Sequence, residues 1–283
     1  MDDVPLAVPQ SDARLVGADR VLAVLVALAR HPDGVTLDDV ARAVSSPKPT
    51  VHRALQSLRR ARLADQDARG HYRLGDEFVR MAFAYHEARP DHQRVQPVLT
   101  ALTERYGETA HYAVLDGRWV VYRAKVDPVM GAMRLTSTVG GRNPAHTTAV
   151  GKMLLSHLLP DLAAVTAWIG RRPLVHPAGR GPASAGELHR ELELARERGW
   201  STDDQENEPG VNCLAVPVFL ASPSVPSGAI SVSALAHRTP LQVLVDDLPA
   251  FREIVRRRPD GRPAPAAPAL TPETADPWSQ PCT

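Results

Sequence analysis

Residues 45–60 constrain this chain more than any other stretch, because they combine a helix start, an apolar stripe and a run of positive charge. Pro47 stands where the first turn of a helix tolerates a proline. The apolar residues that then recur at i, i+3, i+4 and i+7 are Val51, Ala54, Leu55 and Leu58. This period predicts an amphipathic helix with one face in a core and the other polar and basic.

The positive charge of this helix is local. Residues 41–64 contain six basic side chains and no Asp or Glu, although the whole chain carries a formal net charge of +1. Cations gathered on one short element displace counterions from a nucleic acid, so the surface suits phosphate. An ordinary solvated helix face is the alternative, although it usually mixes the signs of charge. Charge alone leaves both interpretations open.

The flanking segments favour nucleic acid. Upstream, an apolar helical stripe over 21–29 ends near a turn at 31–34, and Thr36 is placed to cap a short second helix. Three helices with short turns, the third of them basic, are typical of a helix-turn-helix. Downstream, the turn signal at 65–70 lies inside a plausible hairpin, and a hairpin after a helix-turn-helix indicates a winged helix.

In a winged helix, the third helix lies in a major groove of DNA and the wing touches the backbone or minor groove. Lys48, Thr50 and Arg53 are expected to face bases or phosphates from the start of the third helix. Arg69 or Arg73 is expected to act from the wing. The full predicted set of DNA-contacting residues is Thr36, Ser46, Lys48, Thr50, His52, Arg53, Arg59, Arg69 and Arg73.

Length and composition set broad bounds. A chain of 283 residues allows one large domain or two small ones, with enough apolar residues to bury a core. The first residues lack the basic start and apolar run of a signal peptide, and the longest apolar run, 21–29, is too short for a bilayer. We therefore expect a cytoplasmic protein. Cys213 and Cys282 give neither a disulfide framework nor a metal-ligand spacing.

Periodicity and composition divide the chain into five predicted parts. They are a flexible arm at 1–14, a winged helix at 15–75, a linker helix at 76–90, a second domain at 91–258 and a disordered Pro/Ala-rich tail at 259–283. The linker helix has a face with Met81 and Tyr85 that could pair with a second copy of the chain. A plain core helix is the alternative.

The second domain mixes helical and strand periods irregularly, which predicts an α+β sheet covered by helices. Strands are expected at 109–115, 119–126, 133–139, 213–219 and 229–235, and helices at 95–106, 147–157, near 188–198 and at 241–258. Asp116-Gly117 marks a hairpin, residues 140–144 a loop, and Pro249 is expected to delay or bend the start of the last helix.

Signals for catalysis are poor. The chain has no H-E-x-x-H, no phosphate-binding Gly-rich loop and no G-x-S-x-G elbow. The acidic cluster at 203–208 beside Cys213 allows a metal site, a nucleophile with carboxylates, or a polar loop that enters a strand. Ser231 and Ser233 alternate with apolar residues, so both hydroxyls point to the same face of the strand. They are either donors to a small anionic ligand or solvent-facing residues without a binding role.

Several motifs occur in a fixed order along the chain. They are SPKPTVHR at 46–53, YRLG at 72–75, PAHTTAVGK at 144–152, DDQE at 203–206, PGVNCLAVPV at 209–218 and ISVS at 230–233. Over residues 15–258 the chain resembles the IclR (isocitrate lyase regulator) family of bacterial transcription factors. The resemblance implies a winged helix-turn-helix, a linker helix and a GAF-like effector-binding domain.

The resemblance also implies a function. Such proteins bind a double-stranded DNA operator as homodimers or tetramers and repress or activate transcription, without catalysis, cofactor or metal. A small metabolite, often a carboxylate or an aromatic acid, binds the second domain and modulates operator affinity. Its implied contacts are Ala149, Val150, Asp203, Cys213, Ser231 and Ser233, with Met133 and Leu135 as walls.

Two departures from the family pattern are visible. Pro49 stands where the family usually has a hydroxyl residue, and Ala234-Leu235 replaces the usual Gly-Pro, which indicates an altered operator contact and an altered pocket mouth. A competing hypothesis is an enzyme or stand-alone sensor with Cys213 as nucleophile, although no neighbouring base would activate the thiol. An RNA-binding protein is a weaker alternative, since the chain shows no interleaved aromatic platform.

Overall fold

The computed structural model describes residues 17–88, 90–129 and 135–256. The predicted arm at 1–14, the tail at 259–283 and Met133 lie outside these residues. The chain divides into two compact units, Met1–Arg89 and Pro90–Thr283. No helix within the described ranges is both long enough and apolar enough to cross a membrane.

The first unit is a winged helix-turn-helix followed by a further helix. Its elements are α1 (Gly17–Leu28), α2 (Leu37–Ala43), α3 (Lys48–Arg60), β1 (Ala64–Gln66), β2 (Tyr72–Leu74) and α4 (Asp76–Glu87). The two strands form an antiparallel hairpin, and the backbone of Val35 pairs with Tyr72 to join the hairpin to the start of α2. This pairing holds the wing against the helices.

The apolar stripe of α3 forms the core of the first unit, as its period predicts. Val51 and Leu55 are fully buried and pack in one cluster with Val24, Leu28 and Val40 from the other two helices. Thr36 caps α2, because its hydroxyl accepts the backbone N–H of Asp39 at 3.2 Å. The polar and basic face of α3 is left in solvent.

The helix α4 exposes much of its apolar surface. Met81, Phe83 and Tyr85 are exposed, and Phe78 is half-buried. A plain core helix would bury these side chains, whereas here they are exposed. The linker helix at 76–90 stays a prediction.

The second unit is an α+β domain around one antiparallel sheet, which confirms the predicted fold class. Its helices are α5 (Pro90–Tyr106), α6 (Ala149–Leu158), α7 (Leu162–Ile169), α8 (Ala185–Arg198), α9 (Leu241–Asp246) and α10 (Leu248–Arg256). Its strands are β3 (Thr109–Asp116), β4 (Trp119–Val126), β5 (Arg142–Pro144), β6 (Ser201–Asp204), β7 (Val211–Val218) and β8 (Gly228–Leu235). The order across the sheet is β5-β4-β3-β8-β7-β6.

Alternation along the strands divides their side chains between the two faces of the sheet. Tyr112 and Ile230 pack with Leu99 of α5 and Phe251 of α10 on one face. On the other face, Ala113 and Ala215 pack with residues of α6 and α8 such as Met153 and Leu192. Helices therefore cover both faces, and α6 begins where the second face carries polar side chains.

The structure corrects several sequence-based expectations. The predicted strand at 133–139 is wrong for the described residues 135–139, which have no strand pairing. The carbonyls of Leu135 and Ser137 accept hydrogen bonds from the Lys125 ammonium instead. The predicted loop at 140–144 contains β5, and α7 and β6 have no counterpart in the prediction. β6 is short and polar, so its sequence carries no apolar period.

The predicted helix at 241–258 is two helices. α9 ends at Asp246 and α10 starts at Leu248, which places Pro249 in the first turn of the second helix. A proline lacks an N–H and clashes with the carbonyl four residues earlier, so it is tolerated in a first turn and breaks a helix interior. The helix expected at 147–157 begins later, at Ala149, after a short 3-10 turn over Ala145–Thr147.

Candidate functional site

The basic face of α3 is the first candidate site. His52, Arg53 and Arg59 are exposed along it, and Lys48 stands exposed at its start. The Lys48 ammonium lies 2.7 Å from the Asp38 carboxylate, in an ion pair whose two side chains are more than half exposed. Exposed pairs contribute only about 0–1 kcal/mol, so Lys48 can exchange this partner for a phosphate at little cost.

The wing adds further positive charge. Arg69 lies at the tip of the hairpin and Arg73 on β2, and both are exposed. Asp67 shapes the tip, because its carboxylate accepts the backbone N–H groups of His71 at 2.8 Å and Arg69 at 2.9 Å. These hydrogen bonds, with the one from His71 foremost, hold the pKa of Asp67 below its ordinary value.

A hydrogen bond ties the wing to α3. Arg59 donates from Nη1 to Oε1 of Gln66 on β1 at 2.9 Å. Two other predicted contact residues serve the local fold, since Thr36 caps α2 and Ser46 donates to the carbonyl of Val44 at 3.2 Å. Thr50 is half-buried at the start of α3. The structure thus leaves Lys48, His52, Arg53, Arg59, Arg69 and Arg73 as the exposed members of the predicted set.

A cleft in the second unit is the second candidate site. Its interior volume is about 30 Å³, so a ligand much larger than a water molecule must widen it. The residues that the family resemblance implied and that the structure describes all line it: Leu135, Ala149, Val150, Asp203, Cys213, Ser231 and Ser233. Residues 203 and 233 are distant in sequence from 149, so the sheet and α6 bring the three segments together.

The register of the sheet explains why the polar residues meet. Asp203 on β6 lies opposite Cys213 on β7, and Cys213 lies opposite Ser233 on β8. Ser231 is the next residue on the same face and lies opposite His111 on β3. Side chains opposite one another in an antiparallel sheet point the same way, so these residues form one polar surface.

The start of α6 closes one side of the cleft. Thr148 caps the helix by accepting the backbone N–H of Gly151 at 3.1 Å, and the next two residues, Ala149 and Val150, line the cleft. Gly151 is required here, because a Cβ at this position would overlap the backbone of Ala145. The free N–H groups of a helix start attract negative charge.

Sequence reasoning missed a second set of lining residues. It includes His111, Tyr122, Ser137, Asn143, Asn207 and Glu208. The rings of His111 and Tyr122 are 4.8 Å apart, and Asn143 donates to the Tyr122 hydroxyl at 3.1 Å. His111 and Tyr122 lie inside strands that read as apolar runs, so no local signal marks them as polar lining.

Hydrogen bonds join the lining residues into one chain. The Cys213 thiol donates to the Ser233 hydroxyl at 3.2 Å, and this hydroxyl lies 3.2 Å from Nδ1 of His111. Nε2 of His111 lies 2.8 Å from the hydroxyl of Ser137. The chain fixes the orientation of both hydroxyls before any ligand enters.

Burial keeps most of these groups neutral. It lowers the pKa of His111 to about 3, with Lys125 contributing, and raises the pKa of Cys213 well above its ordinary value. It also raises the pKa of Asp203 to about 7. A thiol held protonated is a poor nucleophile, and His111 contacts Ser233 rather than the thiol, so the arrangement does not favour Cys213 as a nucleophile.

An ion-pair cluster lies behind the cleft. The Lys152 ammonium on α6 is 2.6 Å from the Glu206 carboxylate and 2.7 Å from that of Glu191 on α8. Burial acts to lower the pKa of Lys152, but the two carboxylates outweigh it and raise the pKa above the ordinary value. Within the described part of the chain, no three His, Cys, Asp or Glu side chains are grouped so that they could hold a metal ion.

Family models match both units. A model described as the IclR helix-turn-helix domain matches residues 17–68, and one described as the bacterial transcriptional regulator IclR C-terminal domain matches residues 87–257. Among curated proteins, the HTH-type transcriptional regulator XynR of Escherichia coli K12 is 32% identical over 238 residues, which cover 83% of this chain and 90% of XynR.

Solved structures share the architecture. A transcriptional regulator from Rhodococcus sp. RHA1 aligns with a TM-score of 0.71 and 29% identity over 83% of this chain and 93% of its own. An IclR homologue from Microbacterium hydrocarbonoxydans, solved in complex with 4-hydroxybenzoate, aligns with a TM-score of 0.65 and 20% identity over 83% of this chain and 99% of its own. At 20% identity this second likeness concerns the fold.

Proposed function

Because this chain belongs to the IclR family of DNA-binding transcriptional regulators, we propose that it binds a specific operator and that a small metabolite in the cleft changes its operator affinity. The observation that carries the proposal is the cleft itself. It gathers two serine hydroxyls, a helix start and a buried carboxyl from three separate segments of the second unit.

The DNA-binding surface is α3 with the wing. Arg53 lies exposed on α3, beyond the half-buried Thr50, where a side chain can reach base edges in a major groove. Arg69 and Arg73 reach the backbone or the minor groove from the wing. Phosphate contacts fix the position of the protein, and base contacts select the sequence.

The effector is a small carboxylate or an aromatic acid. Ser231 and Ser233 offer hydroxyls, the first N–H groups of α6 offer a positive dipole end, and Tyr122 offers an aromatic wall. The Microbacterium homologue binds 4-hydroxybenzoate, which is an acid of this class. The chemistry of the cleft in this chain, rather than that distant likeness, supports the assignment.

The active species is a homodimer, or a tetramer built from dimers. Two copies place two α3 helices in major grooves of a roughly palindromic operator, about one helical turn or a multiple of it apart. The exposed Met81, Phe83 and Tyr85 of α4 offer apolar surface for pairing. The effector can change operator affinity only as far as its affinities for two arrangements of the dimer differ, commonly about 1–3 kcal/mol.

Binding to duplex DNA from upstream of the gene itself tests the proposal. Fluorescence anisotropy at two salt concentrations, with unrelated duplex as competitor, should show tight binding that falls with salt and resists the competitor. Adding small aromatic and aliphatic acids to the same complex should then reveal the effector as a shift in affinity. If binding to every upstream duplex equals binding to the competitor, the operator assignment fails.

A further inference from the structure

Among the described residues, the lining of the cleft includes acids and no cation. Its lining, within the described residues, includes the carboxyls of Asp203 and Glu208 and no Lys or Arg side chain. An anionic ligand usually meets Arg or Lys, because a charge transferred out of water needs a partner. A carboxylate that enters this cleft must instead find neutral donors and avoid two negative charges.

The nearest ammonium groups are already committed. Lys125 donates to the carbonyls of Leu135 at 3.2 Å and Ser137 at 2.7 Å, and it lies 3.1 Å from the carboxylate of Asp127. Lys152, only 4% exposed, is held between Glu206 and Glu191. Neither can turn into the cleft without breaking these contacts.

Asp203 is placed to supply the missing donor. The residue is 2% exposed, and its Oδ1 accepts the backbone N–H of Glu206 at 2.7 Å and that of Asn207 at 3.4 Å. Because Oδ1 is occupied as an acceptor, a proton on this carboxyl resides on Oδ2. A protonated carboxyl donates a hydrogen bond where an ionised one can only accept.

Most of the titratable groups around Asp203 keep one charge state. The titratable side chains that face it are Cys213 on β7, His111 on β3, Tyr122 on β4, Lys152 on α6, and Glu206 and Glu208 on the loop after β6. Burial holds the thiol, the imidazole and the phenol in their neutral forms, and Lys152 stays charged. Burial also raises the pKa of Glu206, although the Lys152 ammonium 2.6 Å away opposes this shift, and Glu208 accepts a hydrogen bond from Thr136 at 3.2 Å.

We propose that the carboxyl of Asp203 is the hydrogen-bond donor that recognises the carboxylate of the effector, so that ligand and proton bind together. This inference rests on the proposed function and names its recognition chemistry. The ligand carboxylate stays ionised, the proton remains on Asp203, and Ser231, Ser233 and the start of α6 donate to the remaining lone pairs. A dianionic ligand would bring its second charge near the Glu208 carboxyl with no cation in the described lining, so we expect it to bind more weakly.

The proposal has a quantitative consequence. Below neutral pH the proton is already present, and at higher pH each bound ligand must bring one from solvent. A carboxyl that titrates at about pH 7 then weakens ligand binding about tenfold between pH 6 and pH 8. Binding at pH 8 takes up nearly one proton.

The test combines two measurements on the full-length protein. Infrared difference spectra of the ligand-free protein, recorded across pH 5 to 9, report the protonated carboxyl directly. Calorimetry with acetate, lactate, benzoate and 4-hydroxybenzoate, in buffers of different ionisation enthalpy, then measures affinity and proton uptake. Asp203→Asn mimics the protonated carboxyl, and Asp204→Asn is the matched control, because it removes the neighbouring, exposed carboxylate on β6.

The expected result is a carboxyl signal that titrates near neutral pH in the wild-type protein and in Asp204→Asn and is lost in Asp203→Asn. Ligand affinity should fall about tenfold from pH 6 to pH 8 in the first two proteins and change less than twofold in the third. If Asp203→Asn does not fold, the wild-type titration and its proton uptake decide the question.

Other outcomes overturn the proposal at distinct points. If the infrared spectra show Asp203 ionised from pH 5 to 9, the carboxyl has no proton to donate, and the proposal is wrong whichever ligand binds. Binding that is independent of pH and takes up no proton overturns the role of Asp203 while the proposed function survives. Binding of none of the four acids at any pH overturns both this inference and the proposed effector class.

Discussion

The ammonium group of Lys152 lies 2.6 Å from the carboxylate of Glu206, and the backbone N–H of Glu206 donates to Asp203 at 2.7 Å. Glu206 therefore connects its ion pair with Lys152, behind the cleft, to the Asp203 carboxyl inside the cleft. Lys152 belongs to α6, whose first residues line the same cleft. The pair thus couples the start of α6 to the loop that follows β6.

Replacing Lys152 with Met should destabilise the second unit. The change leaves the half-buried Glu206 carboxylate without its partner, and losing one member of a buried pair costs about 3–5 kcal/mol. Urea denaturation measures the free energy of unfolding. Lys48→Met, which removes a lysine from the exposed pair with Asp38, should change it by less than about 1 kcal/mol. Equal small effects would show that the Lys152 pair contributes no more than a surface pair.

Replacing Gly151 with Ala should destabilise the second unit. The added Cβ would overlap the carbonyl of Ala145, so α6 must shift, at a cost of about 2 kcal/mol or more. Gly186→Ala is the control, because a Cβ there meets nothing within 4 Å on helix α8. We expect that control to be neutral or slightly stabilising. Thermal unfolding of both variants distinguishes the two cases, and an unchanged Gly151→Ala protein would contradict the packing at α6.

Arg53→Ala should weaken operator binding by about 1–3 kcal/mol and relax specificity if the side chain reaches a base. Anisotropy with the operator and with unrelated duplex measures both effects. Arg171→Ala removes the same charge from an exposed position in the second unit and should leave binding unchanged. If operator affinity and specificity are both unchanged in Arg53→Ala, the assignment of α3 as the recognition helix is wrong.

Arg69→Ala should act differently from Arg53→Ala, since a wing residue on the phosphate backbone carries no sequence information. We expect weaker binding to all duplexes alike and a salt dependence, log K against log salt, that is shallower by about one unit. Titrations at four salt concentrations give this slope. A change of sequence preference with an unaltered slope would place Arg69 at a base edge instead.

The stability of the protein should depend on pH through Asp203. Burial raises the pKa of this carboxyl to about 7, so the folded state favours the protonated form. Its stabilising contribution is fully present below pH 3.8, the ordinary value, and is lost as pH rises to about 7, by at most about 1.4 kcal/mol per pH unit. His111, whose pKa burial lowers to about 3, acts in the opposite direction, with stability rising from about pH 3 to 6.5.

Comparing wild-type protein with Asp203→Asn isolates the contribution of Asp203, because His111 is common to both. Urea unfolding at pH 5 and pH 8 should show that the difference in free energy between the two proteins shifts in favour of the variant at the higher pH. A difference that stays constant between these two pH values would show that the pKa of Asp203 in the folded protein lies below this interval.

Local patterns in the sequence determined the elements whose faces differ in polarity. The stripe of Val51, Ala54, Leu55 and Leu58 predicted α3 and its buried face, and Asp116-Gly117 predicted the hairpin of β3 and β4. The break between α9 and α10 was not predicted, because whether Pro249 bends a helix or starts a new one depends on what packs around it.

The candidate sites divide in the same way. The basic surface of α3 is visible in the sequence, because consecutive turns of one helix carry it. The family resemblance, carried by motifs at 144–152, 203–218 and 230–233, implied residues that line the cleft, yet His111, Tyr122 and Asn143 carried no signal. Only the antiparallel register places His111 opposite Ser231 and Asp203 opposite Cys213. Burial of these neighbours together, rather than any property of the residues alone, raises the pKa of Asp203 and lowers that of His111.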